Sequence, residues 1–292
     1  TNIINKDFLG NQTDFNRRYV STPLNDLMPR EIAEVESKVA KIMIRRLKED
    51  VLDDLPEKID IHTALTPTTE ESGKYNEIIS EIRAASRETA LALISHLRKF
   101  TSHPALYEDV ILETSFAELV KKSAKFSHLA SILEEVLMAK EKALVFANHV
   151  HLLSAMQNQC EKYYGVPCFK IDGSIEINER QNVIDTFQAV ETGAILFLNP
   201  ITAGMGLNIT AANHVIHYSR QWNPALEAQA TARAFRNGQT KSVNAYYLYY
   251  ADTIEEIIHK RLNLKSDISS SLVRATEQSF DDEWYLKELG ED

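Results

Sequence analysis

At 292 residues, with 44% hydrophobic and 25% charged side chains, the chain has the make-up of a folded protein with one large core, or one core with a helical appendage, which excludes disordered and fibrous classes. A net charge of −10 excludes bulk coating of nucleic acid, but leaves room for a local track where amides and a few basic side chains hold phosphates. Two cysteines, Cys160 and Cys168, are too few for a disulfide scaffold, and with no signal-like amino terminus and no apolar run of bilayer-spanning length they point to an intracellular protein.

The first elements read as helical. Residues 31–49 and 74–100 carry apolar side chains at helical spacing, and ALTPTTEESG interrupts them. The alternating segment KIDIHTAL predicts one strand between them. This half, residues 1–124, is expected to form a helical protrusion and inter-lobe segment outside the main domain.

From about residue 125 the rhythm changes. Strand-like runs occur at 142–147, 166–171, 194–198, 214–218 and 243–250, and helix-length segments near 150–162, 176–189, 224–236 and 253–263 alternate with them. Residues 125–263 therefore predict an α/β domain, a parallel sheet covered by helices on both faces. Chemistry in such sheets gathers in the loops that leave the carboxyl ends of strands. Residues 264–292 predict a serine-containing link and a helical tail.

Three segments carry candidate chemistry. In QWNPALEAQATARAFRNGQ, Asn223 and Pro224 suit a helix start, and Asn237-Gly238 suits a left-handed stop. A helix running to about Arg236 would place Gln229, Arg233 and Arg236 on one face beside the sheet's carboxyl edge. Neither arginine has an acid three or four residues away, so the pair suits an oxyanion; the plain alternative is a solvated helix face. In NPITAGMGLNIT, Gly204 and Gly206 permit close backbone approach to a phosphate or ribose, and Asn208 can bond a hydroxyl; a tight turn is the alternative. In KIDGSIEINER, Ser174 either caps the next helix or holds a phosphate. No stretch fits G-x-x-x-x-G-K-[ST], and no acid pair follows an apolar strand where it would hold magnesium. The chain thus presents arginines for a phosphate without a phosphate cradle.

Taken in order, IMIRRLKEDVLDDLPEK, LRKFTSHPALY, SAKF, ALVFANHVHLL, IDGS with Arg180, and GMGLNITAANHVIHYSRQWNPALEAQATARAFRNGQ resemble the carboxyl-terminal half of the SWI/SNF-type DNA-translocating ATPases. The ending RNGQ resembles that family's RxGQ, whereas RNA helicases end GRxGR. The resemblance implies a second RecA-like lobe whose Arg233 and Arg236 act as arginine fingers on ATP. It implies that Gln229, Gly204, Gly206 and Asn208 lie near the nucleotide, and that Asn148, Ser174, Thr202 and Trp222 face double-stranded DNA or couple it to ATP. ATP and Mg²⁺ would be held mainly by an amino-terminal RecA-like lobe, so this fragment alone is expected to be inactive. The location implied is cytoplasmic in a prokaryote and nuclear in a eukaryote. The rival readings are a lobe of an RNA or strand-separating helicase, and a degenerate docking lobe, which would have lost the two arginines. Departures from the family pattern are Pro200 and Ile201 before the glycine pair, Ala232 before the first arginine, and Phe235 before the second.

Overall fold

The computed structural model describes residues 55–203, 207–221 and 223–271, together with Thr13. The helix predicted at 31–49 and the tail beyond 271 lie outside the described residues. Residues 54–262 belong to one compact unit.

Six strands form one sheet: β1 (Lys58–Leu65), β2 (Lys142–Phe146), β3 (Cys168–Ile171), β4 (Ala194–Leu198), β5 (His214–His217) and β6 (Val243–Tyr250). Their order is β1-β6-β5-β2-β4-β3, and every pairing is parallel. The central strands KALVF, AILFL and HVIH are buried at every residue, as a sheet covered on both faces requires. This is the RecA-like α/β arrangement.

The helices are α1 (Thr69–Ala84), α2 (Arg87–Ser102), α3 (Pro104–Tyr107), α4 (Phe116–Lys122), α5 (Ala124–Met138), α6 (Val150–Tyr164), α7 (Ile177–Ala189), α8 (Pro200–Ala203), α9 (Pro224–Thr231) and α10 (Ile254–Ser271). Alternation along the strands sorts the core into two layers. Ala143, Val145, Ile195, Phe197 and Ile216 pack with α5 and α6 on one face. Leu144, Phe146, Leu196 and Val215 pack with Ile184 and Phe187 of α7 and Ala230 of α9 on the other. A third cluster joins Ile78, Ile82, Ile94 and Leu97 of α1 and α2 to Ile254 and Ile258 of α10.

Two expectations differ from this arrangement. KIDIHTAL does not stand apart from the domain: it is the sheet's edge strand, in register with β6 from Lys58↔Val243 to Leu65↔Tyr250. The packing therefore does not divide at 124–125, because β1 completes the outer edge of β6 and α1 and α2 share a core with α10. The helix predicted at 74–100 is two helices. Thr68 opens α1 with a capping box to Glu71, and the chain is extended at Ala85 and Ser86 before α2.

A buried junction fastens these parts. Lys125 of SAKF is fully buried, and its Nζ donates to both Glu255 oxygens at 2.6 Å and to the Thr101 carbonyl at 2.8 Å. The ammonium also lies 4.6 Å from the centre of the Tyr250 ring. Burial pulls the Lys125 pKa down, and the Glu255 charge opposes that shift. Among the described residues no helix is long and apolar enough to cross a membrane.

Candidate nucleotide and nucleic-acid site

Asn148, Ser174, Thr202 and Trp222 follow β2, β3, β4 and β5, four strands that are neighbours in the sheet. Among the described residues, Asn148, Ser174 and Thr202 thus follow the carboxyl ends of adjacent strands. Trp222 itself lies outside the described residues.

Asn148 is half-buried. Its Oδ1 accepts from Gln221 Nε2 at 2.6 Å, and its carbonyl accepts from Asn199 Nδ2 at 3.0 Å. Asn199 Oδ1 in turn accepts from the Ile201 amide, which orders the turn at α8. Thr202 on that turn is buried, whereas Ile201 is 73% exposed. Ser174 is exposed and does not cap a helix. Its hydroxyl and amide both donate to Asp172 Oδ1, and α7 starts later, after Glu176. Asp172 is buried and paired with Lys170 at 2.8 Å, so the turn is fixed from below. Arg180 Nε donates to the Ile175 carbonyl and closes its far side.

Helix α9 starts at this same edge. Asn223 Oδ1 accepts from the Ala225 amide, and Pro224 occupies the first turn. Glu227 is buried and accepts from Arg220 Nε at 2.9 Å and Nη2 at 3.0 Å, a two-point charged contact. Arg220 also bonds His259 and lies 5.1 Å from the centre of the Tyr247 ring. That ring belongs to a ladder across four strands, in which Phe146, His217, Tyr247 and His62 stack in register. His217 also bonds Thr231 Oγ1, the last residue of α9, at 2.9 Å.

The helix ends at Thr231, not near Arg236 as the spacing predicts. Tight turns follow, with Ala234 and Phe235 both buried in the core. Phe235, where the family pattern has histidine, packs as an apolar anchor. Gln229 is exposed on the helix, while Arg233 and Arg236 stand half-buried on the turns. The three do not share one helical face. The bonds of the turn that bears the arginine pair run to Leu207, Ile209 and Ala212, which precede β5.

What holds the turn is the stretch that leads into β5. The Arg233 carbonyl accepts from the Ile209 amide at 3.0 Å, and Arg233 Nη1 reaches the Leu207 carbonyl at 3.4 Å. Gln239 is buried, and its Nε2 reaches the carbonyls of Thr210, Ala212 and Ala234. Its Oε1 accepts from the amides of Thr240 and Lys241. Gly238 provides the expected positive φ, at 97°. Burial, and secondarily the charge of Arg236, pull the Arg233 pKa below its ordinary value. Asn208 is exposed between buried Leu207 and Ile209, on the stretch that meets Arg233. Gly204 and Gly206 lie outside the described residues.

The sequence reading missed Arg220, Gln221 and Glu227, and treated Gln239 only as a family mark. The acid in α9, seven residues after Arg220, was the available signal for the pair. It also missed that Arg98 and Lys99 of α2 lie near His149: burial first, then these two charges, hold His149 down to about 4. Two arginines on a fixed turn fit the oxygens of a phosphate. Among the described residues no group of three His, Cys, Asp or Glu side chains is placed to hold a metal ion.

Residues 124–238 match the Helicase conserved C-terminal domain, and residues 1–106 match the SNF2-related domain. The chain is 30% identical, over 94% of its length, to the putative ATP-dependent helicase/translocase YwqA of Bacillus subtilis (strain 168). It spans 30% of that relative's length. Among solved structures, the Sulfolobus solfataricus SWI2/SNF2 ATPase core in complex with dsDNA is 26% identical with a TM-score of 0.63, over 97% of this chain and 59% of that one. The C-terminal part of the Fun30 ATPase domain matches in fold, with a TM-score of 0.64 at 22% identity, over 81% of this chain and 99% of that one.

Proposed function

From the premise that this chain carries the carboxyl-terminal lobe of the SWI/SNF-type, helicase-like family, we propose that it is the second motor lobe of an ATP-dependent double-stranded DNA translocase. The observation that carries this reading is the turn bearing Arg233 and Arg236, fastened through Ile209, Leu207 and Gln239 to the stretch that bears Asn208.

In this reading the two guanidinium groups meet the γ-phosphate of ATP, which an amino-terminal RecA-like lobe of the same protein holds with Mg²⁺. Bound ATP supplies the phosphoryl group that is transferred to water. The arginines present fixed N–H donors to charge that grows on that group in the transition state, so they act on turnover more than on affinity. Their half-burial strengthens this interaction, since water screens it less. Gln229, Gly204, Gly206 and Asn208 line the nucleotide side. Asn148, Ser174, Thr202 and Trp222 form the DNA side on the carboxyl edge, and α9 runs between the two.

Without the partner lobe the fragment has no phosphate cradle and is expected not to turn over ATP. Residues up to 124 connect the lobes in this reading, with β1 lent to the sheet. The protein would act inside the cell, in the nucleus of a eukaryote or the cytoplasm of a prokaryote. The test is ATP hydrolysis by the full-length protein with and without duplex DNA. Turnover stimulated by duplex DNA and lost on arginine substitution supports the reading; stimulation by RNA in preference to duplex DNA opposes it.

A further inference from the structure

Asn148 carries a side-chain amide, and only one end of that amide suits a phosphate. Phosphate oxygens accept hydrogen bonds, so a useful contact needs the NH₂ end to face outward. An isolated asparagine presents either end, because rotation about its last bond exchanges them.

The surroundings remove that choice. Gln221 is buried, 5% exposed, and its Nε2 lies 3.3 Å from the Ser219 carbonyl and 2.6 Å from Asn148 Oδ1. The Ser219 carbonyl is main chain and accepts only, so the Gln221 nitrogen must face it. That nitrogen, being a donor, then demands the oxygen of Asn148. The Gln221 backbone is held too, since its amide donates to Glu227 Oε1 at 2.7 Å, on the carboxylate clamped by Arg220. On its other side Asn148 is tied through its carbonyl to Asn199. Polarity thus passes from a fixed carbonyl, through one buried amide, to a second amide at the edge.

We infer that Gln221 is a positioning residue that turns the NH₂ of Asn148 outward toward a DNA phosphate. The assignment rests on the proposed role of Asn148 at the DNA edge. It also links that edge to α9, because the residue that orients Asn148 is bonded to Glu227 of the helix leading to Arg233.

The experiment measures the duplex DNA concentration that half-saturates ATPase stimulation in the full-length protein. Gln221→Met keeps the length and removes the donor; Gln221→Glu keeps the shape but accepts, and so draws the Asn148 NH₂ inward. Each should raise the half-saturating concentration about tenfold, the scale of one lost hydrogen bond to a charged group. Gln221→Glu should be the worse of the two, whereas a space-filling role predicts both near wild type. In an Asn148→Ala background, Gln221→Met should add nothing further. If Asn148→Ala weakens DNA dependence but both Gln221 variants match wild type, the inference fails and the DNA reading stands. Defects that multiply in the double variant also overturn the inference. If Asn148→Ala leaves DNA dependence intact, the DNA reading of this edge fails and the inference with it.

Discussion

The side-chain amide of Gln239 donates to the carbonyl of Ala212 at 2.9 Å, joining the turn that follows α9 to the residues just ahead of β5. The same nitrogen lies 3.1 Å from the Thr210 carbonyl and 3.3 Å from that of Ala234. These carbonyls have left regular secondary structure, and Gln239 compensates for the partners they lost. Gln239→Leu should therefore lower unfolding free energy by about 2 kcal/mol, the cost of leaving buried acceptors unmade. Urea denaturation of the variant checks this; an unchanged midpoint would mean that water replaces the amide freely.

The Lys125–Glu255 pair gives a second prediction. Lys125 is fully buried, and its ammonium has three oxygen partners. Lys125→Met should destabilise by about 3–5 kcal/mol, since it strands a carboxylate in the interior. Glu255 also accepts from the Tyr250 amide, so Glu255→Gln retains part of the local bonding. Combining the two substitutions should cost less than the sum of the singles. A double-mutant cycle on unfolding free energies measures the coupling, and strict additivity would contradict the assigned pairing.

Acid sensitivity follows from the buried histidines. His103 Nδ1 accepts from the Ala105 amide and its Nε2 donates to the Leu119 carbonyl, which fixes the neutral ring with its proton on Nε2. Burial lowers its pKa from 6.5 to about 4, with the Leu119 bond opposing and Lys122 contributing. His217 is likewise held at about 4 by burial, within the ladder of Phe146 and Tyr247. A folded-state pKa below the unfolded value means the unfolded chain binds more protons between pH 6.5 and 4. Stability is then fully present above 6.5 and declines as pH falls toward 4, by about 3 kcal/mol for each of these two sites. Unfolding free energy measured from pH 7.5 to 4 tests the sign, and a flat profile would contradict it.

Much of the lobe was legible in the sequence, and the failures have a common cause. Runs such as KALVF and AILFL identify central strands because both faces are buried and no polar residue interrupts them. KIDIHTAL was legible as a strand, but its membership of the sheet depends on pairing with β6, far away in sequence. The lack of acids at helical spacing singles out Arg233 and Arg236 as a candidate oxyanion pair, and the proposed function builds on that. Their departure from the helix was not legible, because the bonds that end it come from Ile209 and Gln239, outside the helical spacing. Ser174 sat where a cap is common, yet the neighbouring Asp172 offered its hydroxyl a charged acceptor two residues away. Local periodicity predicts elements; long-range hydrogen bonds decide where they stop.

The most direct test of the central claim is the ATPase rate of the full-length protein, at saturating ATP with and without duplex DNA, for wild type, Arg233→Ala, Arg236→Ala and their lysine counterparts. If the arginines act on the transferring phosphoryl group, each alanine variant should lose about a thousandfold in turnover while ATP affinity changes far less. Lysine should restore only part of the loss, because an ammonium lacks the planar fork. Folded alanine variants that keep wild-type turnover would contradict the account and leave this turn a solvated surface.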